Sequence, residues 1–134
     1  MASIDTIEGI DHKQATSLRK ARIRTAEALL KKGSTRKGRK EIATTTGISE
    51  KLILEWVNRA DLMRVRGVGE EYSDLLESTG VDTVKELRRR NPANLLTSMM
   101  QANSKKLLVR RLPTEAMVER WVEHAAELDT IIKY

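Results

Sequence analysis

Apolar positions recur along this chain at helical spacing, with polar residues between them. Ala15, Leu18 and Ala21 fall on one face, and Asp11 with Gln14 three residues later makes a capping-box pattern, so a helix is predicted to start there. Thr25 is placed to cap a second helix through Leu29 and Leu30, which Gly33 ends. "RKGRKEIATTTG" predicts a third, ending near Gly47. Ser49 then opens a longer one with Leu52, Ile53, Trp56, Val57 and Ala60 on one stripe. Tyr72, Leu75 and Leu76 mark the next, and Thr83 can cap another. Pro92 suits the first turn of a helix carrying Leu95, Leu96 and Met99. Thr114 caps the last, with Met117, Val118, Trp121, Val122 and Ala125. No stretch alternates as a strand does, and the connections are short. The expected architecture is one all-α domain over 1–134.

The pattern also repeats. At a shift of 58 residues, "IEGIDHKQATSLRKARIRTAEAL" lies over "VRGVGEEYSDLLESTGVDTVKEL". Ile7 then matches Val65, Gly9 matches Gly67, Ile10 matches Val68 and Thr25 matches Thr83. At a shift of 65, "SEKLILEWVNRA" lies over "TEAMVERWVEHA". These matches predict two duplicated units, about 4–62 and about 63–131, fused into one compact pseudo-twofold domain. The first glycine turn has no helix before it. The Trp121 helix is therefore expected to pack beside that turn and close the ring, bringing the termini together.

Composition narrows the possibilities. The chain has no cysteine and no phenylalanine, so the core must come from Leu, Ile, Val, Ala and Met, and disulfides and thiolate metal sites are excluded. No apolar run approaches the roughly 18 residues of a membrane span, and the N-terminus lacks a signal-peptide pattern. The expectation is a soluble cytoplasmic protein with no membrane contact. The net charge of +6 is segregated. Residues 11–40 hold eleven Lys and Arg against two acids, and residues 88–112 hold seven and no acid. Residues 61–87 are net acidic, as is the stretch from 113 to 134. Basic zones of this kind favour a polyanion such as nucleic acid.

"GVGEEYSDLLESTGVDTVKEL" resembles the helix-hairpin-helix motif. Gly67 and Gly69 permit close approach and unusual backbone angles, Val68 anchors the turn, and the N–H groups opening the next helix can face a phosphate. Such a grip holds the backbone without reading sequence. The longer stretches "GRKEIATTTGIS", "WVNRADLMRVRGVGEEYSDLLESTGVDTVKELRRRNPANL" and "VRRLPTEAMVERWV" resemble a bacterial family of unknown function, domain of unknown function 4332, built of tandem helix-hairpin-helix units. The resemblance covers most of residues 7–125 and implies a fold rather than an activity. The helix-hairpin-helix class implies DNA binding that is not sequence-specific.

The two copies depart from that pattern differently. In the first, Asp11 stands where the second glycine would, yet Lys13, Arg19, Lys20, Arg22 and Arg24 supply cations. In the second, both glycines are present, but Glu70 and Glu71 follow them, acids that suit a helix N-terminus and repel phosphate. The expected nucleic-acid contacts are Gly9, Ile10, Gly67, Val68 and Gly69 in the turns. With them go Lys13, Arg19, Lys20, Arg22, Arg24, Arg36, Lys37, Arg39 and Lys40. Arg88, Arg89 and Arg90, and then Lys105, Lys106, Arg110 and Arg111, form further basic groups. Each group reads equally well as a solvated helix face.

Trp56 and Trp121 read as matched core residues, Tyr72 as half-buried, and Met99 and Met100 as core fillers. His12 and His124 stand alone in sequence, and no zinc, Walker or GxSxG motif is present. Glu119 with Glu123, and Glu70 with Asp74, read as exposed helix charge. The expectation is a non-enzymatic binder needing no cofactor, with DNA as partner through backbone contacts. The alternative is an adaptor that binds a protein partner.

Overall fold

The computed structural model describes residues 2–134. Among them the chain forms a short 3-10 turn, Ile4–Thr6, and eight α-helices. These are α1 (His12–Lys20), α2 (Ala26–Lys32), α3 (Arg36–Thr46), α4 (Glu50–Leu62), α5 (Glu70–Ser78), α6 (Val84–Leu87), α7 (Pro92–Lys105) and α8 (Glu115–Glu127). One isolated bridge joins Ser3 to Thr25, and the described residues form no strand. The protein is all-α, as the periodicity predicts.

Side-chain caps set the helix starts. Asp11 Oδ1 accepts from Gln14 N–H at 2.7 Å while Gln14 Oε1 accepts from Asp11 N–H at 3.0 Å, a complete capping box. Thr25, Ser49, Thr83 and Thr114 each accept from the N–H three residues on, and so do Thr35 and Asn91. Each such cap is worth about 1 kcal/mol.

The chain divides into two compact units. One holds the residues up to Asp61 together with Ile131–Tyr134; the other is Leu62–Thr130. In the first, the 3-10 turn packs on α1 and α2, and Ile4 N–H donates to Arg24 O at 2.9 Å. Ile4, Ile7, Leu18, Ile23, Leu29, Ile42, Ile53, Trp56 and Val57 are buried there, joined by Ile132. Lys133 N–H donates to Ser34 O at 2.7 Å, so the segment after Thr130 belongs to this unit.

In the second unit α8 packs on α6 and α7, and α5 packs on α7. Leu62, Val65, Val68, Leu75, Leu76, Val81, Val84, Leu87, Leu95, Met99, Val109, Val118, Trp121 and Ala125 make one core. Burying each of its leucines contributes roughly 2 kcal/mol. Met100 departs from its expected place: it is exposed, because Leu95 and Met99 already set the inward face of α7 and the next residue points away.

Candidate nucleic-acid interface

Both glycine turns are built alike. Ile10 N–H donates to Ile7 O at 3.2 Å and Val68 N–H to Val65 O at 3.0 Å, with all four apolar side chains buried. The glycine inside each turn is left-handed, Gly9 at φ 96° and Gly67 at φ 91°. A tryptophan stands over each. A Cβ added at Gly9 would lie 3.4 Å from Trp56 Nε1, and one at Gly67 would lie 3.0 Å from Trp121 Nε1. The ring over each glycine comes from the same unit. Both tryptophans are core residues, and Tyr72 packs at 5.1 Å against the Trp121 ring.

The helix starts after the turns differ. In the first unit the Asp11–Gln14 box occupies the opening of α1. In the second, Gly69 caps α5 with no side-chain bond, and Glu70 and Glu71 lie exposed beside it. Gly69 was expected to need glycine's backbone freedom and does not. Its φ is −98°, and a Cβ there would meet nothing within 4 Å. What its lack of a side chain gives is open space in front of α5.

The cations separate into three kinds. Lys13, Lys20, Arg22, Arg24, Arg36, Lys37 and Lys40 are exposed. Arg19 is half-buried and pairs with Asp5 at 3.3 Å. A hydrogen bond with Ser3, helped by Arg19, holds the Asp5 carboxyl below its usual pKa. Arg39 is the exception to the expected surface cluster: only 5% of it is exposed. Its Nη1 donates to Gly33 O at 2.8 Å and its Nη2 to Lys133 O at 2.9 Å. The guanidinium also sits 6.0 Å from the Tyr134 ring centroid, and burial pulls its pKa down. Gly38 permits this packing, since a Cβ there would come within 1.9 Å of Lys32 O. Arg39 is thus held inside the first unit, with its guanidinium spent on two carbonyls.

Arg22 carries an unusual backbone. At φ 67° it is the one non-glycine residue at positive φ among those described. The turn is closed by Arg22 N–H to Arg19 O at 2.9 Å and Ile23 N–H to Leu18 O at 2.9 Å. In the second unit the same bonds run from Gly80 to Glu77 and from Val81 to Leu76, and Gly80 has φ 92°. Ala21 and Ile23 line a hollow of about 270 Å³ together with Lys32 and with Glu41, Ile42 and Thr45 of α3. The Arg22 turn therefore lies beside α3. A second hollow of about 400 Å³, lined by Lys37, Lys40, Glu41, Thr44 and Thr45, shares Glu41 and Thr45 with the first. The Arg22 turn and α3 thus border two adjoining hollows, with Glu41 common to both.

A family model described as "Domain of unknown function (DUF4332)" matches residues 8–128. The chain belongs to this family. No curated protein and no solved structure matches it. The DUF4332 match takes in Gly9 and Gly67, both tryptophans and every exposed cation named above.

Two side chains at the glycine turns of this DUF4332 chain escaped the sequence reading. Arg59 Nη1 donates to Glu8 O at 2.5 Å, just before Gly9. His124 Nδ1 accepts from Arg66 N–H at 3.0 Å, just before Gly67. Each lies three residues after a tryptophan, one helical turn on, so each side chain reaches the same turn as the ring. The overlay of "WVNRA" on "WVEHA" contained this signal. Gly67 and His124 also border a hollow of about 400 Å³ with Arg66, Met117, Arg120, Trp121, Glu123 and Glu127. Among the described residues no group of His, Cys, Asp or Glu is arranged to hold a metal ion, and no helix is long and apolar enough to cross a membrane.

Proposed function

We propose that the protein is a non-catalytic module that binds nucleic acid through its phosphates, without reading sequence, with double-stranded DNA as the expected ligand. The observation that carries this reading is the Arg22 turn lying beside α3. Ala21 and Ile23, on either side of Arg22, line one hollow with α3, and Lys37 and Lys40 line a second that shares Glu41 and Thr45 with it, which supports a common basic face in this unit. Arg22 also keeps a strained backbone where the second unit uses Gly80. Strain of that kind persists where the side chain has a task. In the second unit the open start of α5 at Gly69 adds backbone N–H groups, with the helix dipole behind them. We further read the two units as duplicated helix-hairpin-helix copies. The matched glycine angles, turn hydrogen bonds and covering tryptophans support this. The reading places the protein in the bacterial cytoplasm.

A protein-binding role draws support from one feature, the mixed-charge hollow beside Gly67, which Arg66, Arg120, Glu123 and Glu127 help to line. Fluorescence anisotropy with labelled duplex, across a salt series, separates the two readings. Phosphate contacts give a slope of log affinity on log salt near −0.9 for each one made, so a slope of about −3 or steeper is expected. Replacing Arg22 and Arg24 by alanine should weaken binding on every duplex sequence and make the slope about 1.8 less negative. No binding at about 50 mM salt, where such contacts are strong, would sink the nucleic-acid reading.

A further inference from the structure

The second unit carries a basic surface of its own, away from its glycine turn in sequence. From Arg88 to Leu112 there is no carboxylate. Lys105 ends α7, and Lys106, Arg110 and Arg111 follow in the loop to α8; all four are exposed. Between them stands Leu107, 75% exposed.

This loop is held rather than loose. Asn103 Oδ1 accepts from Leu108 N–H at 2.9 Å and Val109 N–H at 3.1 Å, and Asn103 Nδ2 donates to Val109 O at 3.2 Å. Tyr72 O–H donates to Arg111 O at 3.0 Å. Val109 is buried, and Leu108 and Leu112 pack against the same core. With those three turned inward, Leu107 is pushed out at the tip. A single exposed leucine usually means nothing. Here it crowns a loop fixed by four hydrogen bonds and flanked by four cations. A surface fixed before binding loses little entropy when it docks.

We propose that residues 105–111 form a second contact with duplex nucleic acid. Lys105, Lys106, Arg110 and Arg111 take phosphates, and Leu107 enters a groove against sugars and base edges. The proposal rests on the nucleic-acid reading above. Charge selects a polyanion, and the small apolar tip selects which one. One leucine offers far less apolar surface than an acyl chain, and even one acyl chain anchors a protein to a bilayer only marginally. A duplex groove presents phosphates on both sides of a floor of sugars and base edges, and the loop's order of cations, leucine and cations matches that layout. Apolar side chains serve as wedges in grooves of this kind.

The test uses the whole chain, labelled duplex and a salt series. Replacing Lys105 and Lys106 by alanine should make the salt slope about 1.8 less negative. Leu107→Ala should lower affinity by roughly three- to tenfold and leave the slope unchanged, because the lost contact carries no charge. All three residues are exposed, and circular dichroism checks that each variant keeps its helices. If the wild type binds and either variant behaves like it, the loop proposal is overturned while the nucleic-acid reading stands. If the wild type does not bind duplex, that reading fails and the loop proposal with it. Binding to vesicles rich in anionic lipid, stronger than to duplex and lost in Leu107→Ala, would also overturn the proposal and assign the loop to a membrane surface.

Discussion

Arg22 sits at φ 67°, where a side chain crowds the following carbonyl. Holding a non-glycine residue there costs roughly 1–2 kcal/mol. Glycine removes that strain but loses more freedom on folding, a penalty of about 0.5–1 kcal/mol. The side chain is exposed, so its removal leaves no hole. Arg22→Gly should therefore stabilise the protein by about 0.5–1 kcal/mol. Urea denaturation should show a higher midpoint with an unchanged slope. A thermal melt should shift up by roughly 2–4 °C for a chain of this size. On the proposed function, the same variant should bind duplex more weakly, with a salt slope about 0.9 less negative. Arg22→Ala isolates the charge: it loses the same binding without the gain in stability. Arg22→Gly melting lower than the wild type by about 1 kcal/mol would refute the strain argument. An unchanged salt slope would remove Arg22 from the interface.

The two glycines of the second turn should respond in opposite ways. Gly67→Ala meets both a left-handed backbone and Trp121, and should destabilise by roughly 1–3 kcal/mol. Gly69→Ala has an ordinary angle and open space, and thermal melts should place it within about 0.5 kcal/mol of the wild type or slightly above. Arg39→Ala should cost roughly 2–4 kcal/mol in urea denaturation, because two carbonyls lose charged donors. Arg39→Lys should recover only part of this, since an ammonium does not fork to both. Neither Arg39 variant should alter the salt slope of duplex binding.

Much of the fold was legible because it is set locally. Asp11, Thr25, Thr83 and Thr114 cap the helices they were expected to cap, since a cap depends on a residue only three positions away. Ile7, Val65 and Val68 took the core side of their turns. What escaped was set at a distance. Arg39 sits among Arg36, Lys37 and Lys40, and nothing nearby marks it for burial. Its partner Lys133 is 94 residues away. Trp56 and Trp121 reach Gly9 and Gly67 from far along the chain, and chain order alone does not say which turn a ring covers. Arg22's backbone carried no glycine to advertise it. Only its match to Gly80 did so.

The return of Ile131–Tyr134 to the first unit bears on how the protein is made. Ile132 is buried there, and Lys133 supplies Arg39 with an acceptor and Ser34 with a donor. A growing chain tends to fold its earlier parts first. Here the earlier unit stays unfinished until all of Leu62–Thr130 has been synthesised. During that interval Arg39 lacks one of its carbonyls, and part of the first core lies uncovered. The unit translated first is the one completed last.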